Sequence, residues 1–247
     1  MSVALLAGWQ EQLPAETAPL PGGFSLLSLT APTALLGAGL EEVRAAIVAV
    51  SDQAFGKPTR RSWDEKFTVG FLGGLRRFYL VTDRDGSLVG WSGYRVRTIA
   101  GERVVYFTSS GLLPRCQGSG VIPSVQRLAL DLEDRRHPGC RLTLAIRTRN
   151  PRAYRLATQT FPNGVVVPGL DGRVPPGRRA LVAAVASWLE LSDVDPCTAI
   201  ARGAYPVEGP LYGYEPRSRD PAVNDLFARL GPHDAILVLA ASVTASR

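Results

Sequence analysis

The chain has 247 residues, 45% of them apolar and 20% charged, with a net charge of +6. That is the composition of an ordinary globular protein, with room for one large domain or a core and an extension. Only Lys57 and Lys66 are lysines and neither lies in a Gly-Lys-Ser/Thr sequence, so a P-loop nucleotidase is excluded, and two histidines are too few for a His-rich metal site.

Residues 1–23 are punctuated by proline and glycine and read as an irregular arm. FSLLSL (24–29) reads as a strand, and residues 40–55 as a helix with Glu41 and Glu42 in the first turn, where the dipole favours acids. A second helix is expected over 63–73. Two β-rich runs then flank Asp85-Gly86, the signature of a hairpin. A turn at Ala100–Glu102 leads into a third strand, RVVYFTSSGLLP. A glycine turn and a helix follow, QGSGVIPSVQRLALDLEDRR, with Val121, Val125, Leu128 and Leu132 on one face and Pro123 in the first turn. CRLTLAIR (140–147) is a buried strand. Asn150-Pro151 opens a helix running to about Thr160, with asparagine as N-cap and proline at the first helical position. Beyond it come a short strand at VVVP, a helix over 177–191, a Pro-, Gly- and Tyr-rich stretch over 192–219, a short helix over 221–230 and a strand over 235–241.

The order β-α-α-β-β-β-α-β-α predicts an α/β (α+β) fold with a mixed, mostly antiparallel central sheet flanked by helices. The expected organisation is an arm (1–23), a core (24–167) and an extension (168–247) whose strand 235–241 closes the sheet. No run is long enough to span a membrane, and residues 1–14 lack the basic start of a signal peptide. Cys116, Cys140 and Cys197 lie far apart with no CxxC pair, which argues against disulfides and a zinc knuckle and fits a reducing cytoplasm. His137 and His233 each adjoin a proline and read as exposed turn residues, which argues against a Ser-His-Asp triad. No metal is expected.

The basic excess is concentrated. Between Arg135 and Leu170 there are seven arginines and no acid. Such a run suits a nucleotide cofactor or a nucleic acid, although a solvated face is the commoner explanation.

The chemistry-bearing stretch is LLPRCQGSGVI (112–122). A buried strand ends, a proline follows, and Gln-Gly-Ser-Gly opens a helix. Successive backbone N–H groups in such a turn form an anion cradle, reinforced by the helix dipole. By itself the pattern describes a tight strand-to-helix turn equally well. In context it resembles the GNAT superfamily of N-acetyltransferases, whose signature is a strand ending in Val-x-Pro and then [Arg/Gln]-x-x-Gly-x-[Gly/Ala]. The family's second half is an Asn with Ala at +3 and Phe at +11, which matches Asn150, Ala153 and Phe161. The resemblance covers roughly residues 24–167.

The resemblance implies acyl transfer from acetyl-CoA or another acyl-CoA to an amine, with the pantetheine held between splayed strands. Its donor-binding positions are Leu112, Leu113, Gln117, Gly118, Ser119, Gly120, Val121, Ile122 and Asn150. Three positions depart from the pattern: Ile122 replaces the last Gly/Ala, Ala157 the usual tyrosine acid, and Thr160 the glycine before Phe161. Tyr154, one turn before Ala157, is a substitute acid. The third strand offers no carboxylate base, and its Tyr106, Thr108 and Ser109 are polar groups that serve sheet packing or chemistry. Tyr154, Tyr106 and Ser109 are thus the catalytic candidates. Transfer can also run on positioning and on an oxyanion donor, the N–H of Leu113 or a neighbour.

Three readings follow. The leading one is an acyl-CoA N-acyltransferase acting on a small-molecule amine in biosynthesis or resistance. The alternative keeps the fold and takes an aminoacyl group from tRNA, with Arg147, Arg149, Arg152 and Arg155 on RNA phosphates. The third is a non-catalytic binding protein on the same fold. Within the extension, Tyr205, Tyr212, Tyr214, Glu208 and Glu215 form either a cap on the acceptor side, suited to a small cationic amine, or an ordinary surface loop. The acceptor's identity and the oligomeric state stay open.

Overall fold

A computed structural model describes residues 13–205 and 211–242. Residues 1–12 of the expected arm, and Glu208, lie outside them. Contacts gather into two units. One takes the chain up to Val96 together with Phe107–Val125, and the other takes Arg97–Tyr106 and the chain from Gln126 onward.

In the first unit, Gly22 and Gly23 (φ 78° and 79°) turn strand β1 (Ala15–Leu20) back on β2 (Phe24–Leu29), pairing Thr17 with Leu27. This corrects the irregular arm: residues 15–20 are an edge strand. Helix α1 (Glu41–Phe55) buries Val43, Ile47 and Val50 and stops at Gly56, whose left-handed conformation suits a helix end. The single helix expected over 63–73 is two short ones, α2 (Arg60–Asp64) and α3 (Val69–Gly73). The break falls where the Thr68 hydroxyl accepts from the Phe71 N–H and starts a new helix. Strands β3 (Arg77–Thr82) and β4 (Leu88–Ile99) form the hairpin at Asp85-Gly86. The Asp83 carboxylate braces its turn by accepting from the Ser87 N–H at 3.0 Å. Strand β5 (Glu102–Leu112) follows, giving the order β1-β2-β3-β4-β5. Trp63, Trp91 and Phe78 form the aromatic centre, Trp63 meeting Trp91 edge-on at 5.4 Å and Phe78 at 6.4 Å.

In the second unit the order is β5, β6 (Arg141–Thr148), β9 (Ala235–Ala241), β7 (Val165–Val167), with β8 (Ile200–Ala201) also on β9. β9 is antiparallel to β6, β7 and β8. Its seven residues are all buried, as an unbroken apolar run requires. Helix α6 (Pro176–Trp188) buries Leu181, Val182 and Val185 against Val104, Tyr106, Ala145 and Leu239. Helices α5 (Pro151–Thr160) and α7 (Pro221–Phe227) begin alike, with Asn150 and Asp220 as caps and proline next.

Helix α4 (Val121–Arg136) buries Val121 and Val125 completely. Leu128 and Leu132 are only half-buried, whereas Ala129 and Glu133 are fully buried. Glu133 is tolerated there because Arg103 meets its carboxylate at 3.0 Å. The fold class is the one expected: α/β with a mostly antiparallel sheet, in which β1·β2, β2·β3, β3·β4, β6·β9, β7·β9 and β8·β9 all run antiparallel. Among the described residues no helix is long and apolar enough to cross a membrane.

Candidate functional site

Beyond Leu112 the chain makes the turn that the sequence singles out. Pro114–Cys116 form a 3-10 turn closed by the Cys116 N–H on the Leu113 carbonyl at 2.8 Å. Gly118 and Gly120 take φ 83° and 80°, and a Cβ on either meets nothing within 4 Å. Glycine is therefore required by backbone conformation and not by crowding. Helix α4 starts at Val121. Among the described residues, nothing accepts from the N–H groups of Gly118, Gly120, Val121 or Ile122. Four available donors thus stand at the positive end of a 16-residue helix.

The braces of the turn spare those donors. The Gln117 side chain donates to the Leu112 carbonyl (3.1 Å), the Ser119 hydroxyl to Cys116 (2.7 Å) and the Ser124 hydroxyl to Gly120 (2.9 Å). Ile122 is half-buried. The Leu113 N–H is different: it donates to the Val89 carbonyl at 2.8 Å. It is engaged in backbone pairing, which leaves the oxyanion role expected of Leu113 or a neighbour to the neighbours.

The three catalytic candidates sit in structural contacts. The Ser109 hydroxyl accepts from the indole N–H of Trp91 at 3.3 Å. Tyr106 is buried edge-on to Trp188, ring centres 6.1 Å apart. Tyr154 is 2% exposed and its hydroxyl donates to the Pro168 carbonyl at 2.8 Å. Burial, with smaller contributions from Asp171 and Asp220, pushes that phenol up to about 12. The Thr108 hydroxyl donates to Gly93 at 3.3 Å.

The four arginines of the cluster each have a partner within the second unit, Arg147 and Arg149 half-buried and Arg152 and Arg155 exposed. The Arg147 guanidinium lies 4.8 Å from the ring centre of Tyr205, whose hydroxyl donates to the Arg147 carbonyl at 3.0 Å. Arg149 donates to the carbonyls of Gly231 and Asp234. Arg152 donates to the Arg217 carbonyl at 2.9 Å, and Arg155 faces Asp220 at 3.9 Å. The cluster that suggests RNA phosphates in the sequence thus finds partners at Tyr205, Arg217, Asp220, Gly231 and Asp234. The reason is proximity gained on folding: its partners lie 58 to 85 residues away in sequence.

A cleft of about 1170 Å³ opens beside the start of α5, lined by Arg149, Pro151, residues 211–217 and the end of α7. The two acceptor-side residues, Tyr212 and Glu215, both line it. Asn150 caps α5 by accepting from the Arg152 N–H at 2.9 Å, and its side chain also hydrogen-bonds Tyr212. Burial pushes the Tyr212 phenol well up. The wall also contains Asp225 and His233. Nothing local in the sequence marks Asp225; only the fold brings it to the cleft that Tyr212 also lines. His233 is exposed, with Nδ1 3.1 Å from the Tyr205 carbonyl oxygen. No group of three or more His, Cys, Asp or Glu among the described residues is placed to hold a metal ion.

No family model and no curated protein matches the chain. Solved structures of N-acetyltransferases do align with it. A ribosomal-protein-S5-alanine acetyltransferase from Vibrio fischeri is 11% identical, over 61% of this chain and 86% of that one, with a TM-score of 0.38. An aminoglycoside acetyltransferase from an uncultured soil sample is 8% identical, over 56% and 87%, with a TM-score of 0.39. A mutant spermidine N-acetyltransferase from Vibrio cholerae is 16% identical, over 56% and 78%, with a TM-score of 0.35. The case for an activity rests on this chain's own residues.

Proposed function

We propose that the chain is an N-acyltransferase of the GNAT type, moving an acyl group from an acyl-CoA to a small-molecule amine. The observation that supports this reading above the others is the set of four unpartnered N–H groups at Gly118, Gly120, Val121 and Ile122. A pyrophosphate offers the anionic oxygens that such a set accepts, and the helix dipole adds to the attraction. In the transfer the amine nitrogen attacks the thioester carbonyl, a C–N bond forms, the C–S bond breaks, and the nitrogen's proton leaves with the thiolate or to water. Reaction of an amine with a thioester depends mainly on alignment, so the commitment of Tyr154, Tyr106 and Ser109 elsewhere is compatible with it.

The tRNA-dependent alternative drew its support from the arginine cluster. With Arg147, Arg149, Arg152 and Arg155 each partnered within the chain, that support is reduced. The deciding experiment is calorimetric titration with acetyl-CoA of the wild type and of Gly120→Val, followed by thiol release with a panel of amines. The proposal expects binding that is weakened about tenfold or more in the variant, as loss of well-aimed donors to a charged group implies. Absence of acetyl-CoA binding would sink it, and binding without thiol release for any amine would leave a non-catalytic binder.

A further inference from the structure

We propose that Arg95, held between Phe71 and Gly74 in the first unit, is the receptor of a binding site for an organic carboxylate. The site does not depend on the transfer reading above.

Arg95 stands on β4 and is half-buried. Its guanidinium is held by its faces. The centre of the Phe71 ring lies 5.8 Å from Cζ. A Cβ added to Gly74, the residue that ends α3, would lie 3.1 Å from Nη2 and 3.2 Å from both Cζ and Nε. Three atoms of one plane at nearly the same distance place that plane flat over Gly74, where any side chain would displace it. None of this packing uses a donor. Among the described residues Arg95 has no ion pair and no side-chain hydrogen bond. An arginine is ordinarily oriented by the bonds that it makes, whereas this one is oriented while its donors are unspent. Nε is buried, so the edge that carries Nη1 and Nη2 is the one on offer.

The charges decide the ligand. Neither the chain between Glu65 and Asp83 nor that between Asp85 and Glu102 contains an acid, yet these stretches carry Lys66, Arg76, Arg77, Arg95 and Arg97. Arg77 is matched by Glu16 at 3.1 Å, and Lys66 lies over the Trp63 ring. Arg95 has neither kind of charge partner, so an anion gains there and a cation loses. Its two free nitrogens form a fork that matches the two oxygens of a carboxylate. Phe71 and Gly74 bring no polar side chain for the further oxygens of a phosphate, and the Phe71 ring offers apolar surface to the body of the ligand.

The test uses the full chain without acetyl-CoA and reads affinity by ligand-observed NMR. Three probes share one frame: phenylacetate (an anion), phenethyl alcohol (neutral) and phenethylamine (a cation). Inorganic phosphate is the fourth. Phenylacetate is expected to bind about tenfold tighter than each of the others, as a charge-assisted paired contact implies. Arg95→Gln removes the charge, and Gly74→Ala, at a φ of −78° that alanine accepts, drives a Cβ into the guanidinium. Arg95→Gln is expected to weaken phenylacetate about tenfold and Gly74→Ala about fivefold. An unchanged melting curve by circular dichroism verifies that each variant is folded, and the ranking of the four probes on the wild type decides the matter if neither is. Absence of phenylacetate binding, equal binding of phenethyl alcohol, tighter binding of phosphate, or full affinity in folded Arg95→Gln would each overturn the proposal.

Discussion

The turn at the start of α4 and the arginine-rich start of α5 use their polar groups in opposite ways. The turn carries no charge of its own between Gln117 and Ile122, yet four of its backbone donors are left without acceptors. The α5 region is crowded with charge, yet Arg147, Arg149, Arg152 and Arg155 are all turned on the chain that packs over them. On the donor-site reading proposed above, formal charge is a poor guide to where the donor would bind. On that reading the backbone donors left over at the turn outweigh the side-chain charge, although Arg147 Nε is also left without a partner.

Four substitutions put this contrast under pressure. The largest effect is expected from Glu133→Ala, which leaves Arg103 beside an emptied, fully buried site and should cost about 3–5 kcal/mol of unfolding free energy in urea titrations. A loss under 1 kcal/mol would mean that the charges of the second unit are less committed to architecture than their contacts suggest. Arg149→Gln should cost about 2 kcal/mol by the same measurement, through its lost bonds to Gly231 and Asp234, while leaving acetyl-CoA affinity unaltered. A matching fall in acetyl-CoA affinity would erase the distinction between the two regions.

Glu102 sharpens the contrast through pH. Burial raises its carboxyl, but hydrogen bonds from Arg178 and Thr143 and the charges of Arg178 and Arg141 outweigh this and hold it below the usual range. A depressed folded value means that its stabilisation is present above the unfolded value and is lost as pH falls through the folded one. Glu102→Gln should therefore destabilise at pH 7 by about 2 kcal/mol, with the gap to wild type closing below roughly pH 4. A gap that stayed constant down to pH 3 would show that the carboxylate's charge is not what matters. The smallest effect is expected for Tyr154→Phe: about 1 kcal/mol of stability from the unpaired Pro168 carbonyl, and less than a threefold change in transfer rate. A loss of rate by two orders of magnitude would restore Tyr154 as the acid.

What could be read in advance follows from the same distinction. The glycine turn, the Asn150 cap and the Asp85-Gly86 hairpin depend on residues a few positions apart, and each was legible as a local pattern. The division of α2 from α3 turned on one threonine hydroxyl, a signal too weak to separate from a continuous helix. Glu133 was invisible as a core residue because a carboxylate reads as solvent-facing until Arg103 is brought to it from 30 positions earlier. Likewise the fate of Arg149 is decided by carbonyls more than 80 residues ahead, which no spacing rule reaches. Of the candidate site, the backbone part was visible and the side-chain part was not. Asp225 and Tyr212 face the same cleft only once α7 has docked.

The position of β9 has a consequence for how the protein is made. Its partners β6 and β7 leave the ribosome long before it does: Thr143 must wait for Ala241, and so must Val165. During that interval the edge of β6, with Leu144, Ala145 and Ile146, is an open template for pairing with other nascent chains. Closing so distant a pair is also slow. The interval between the synthesis of β6 and that of β9 is thus when the growing chain is most open to mispairing, and slowing translation of the segment between them is expected to lower the soluble yield.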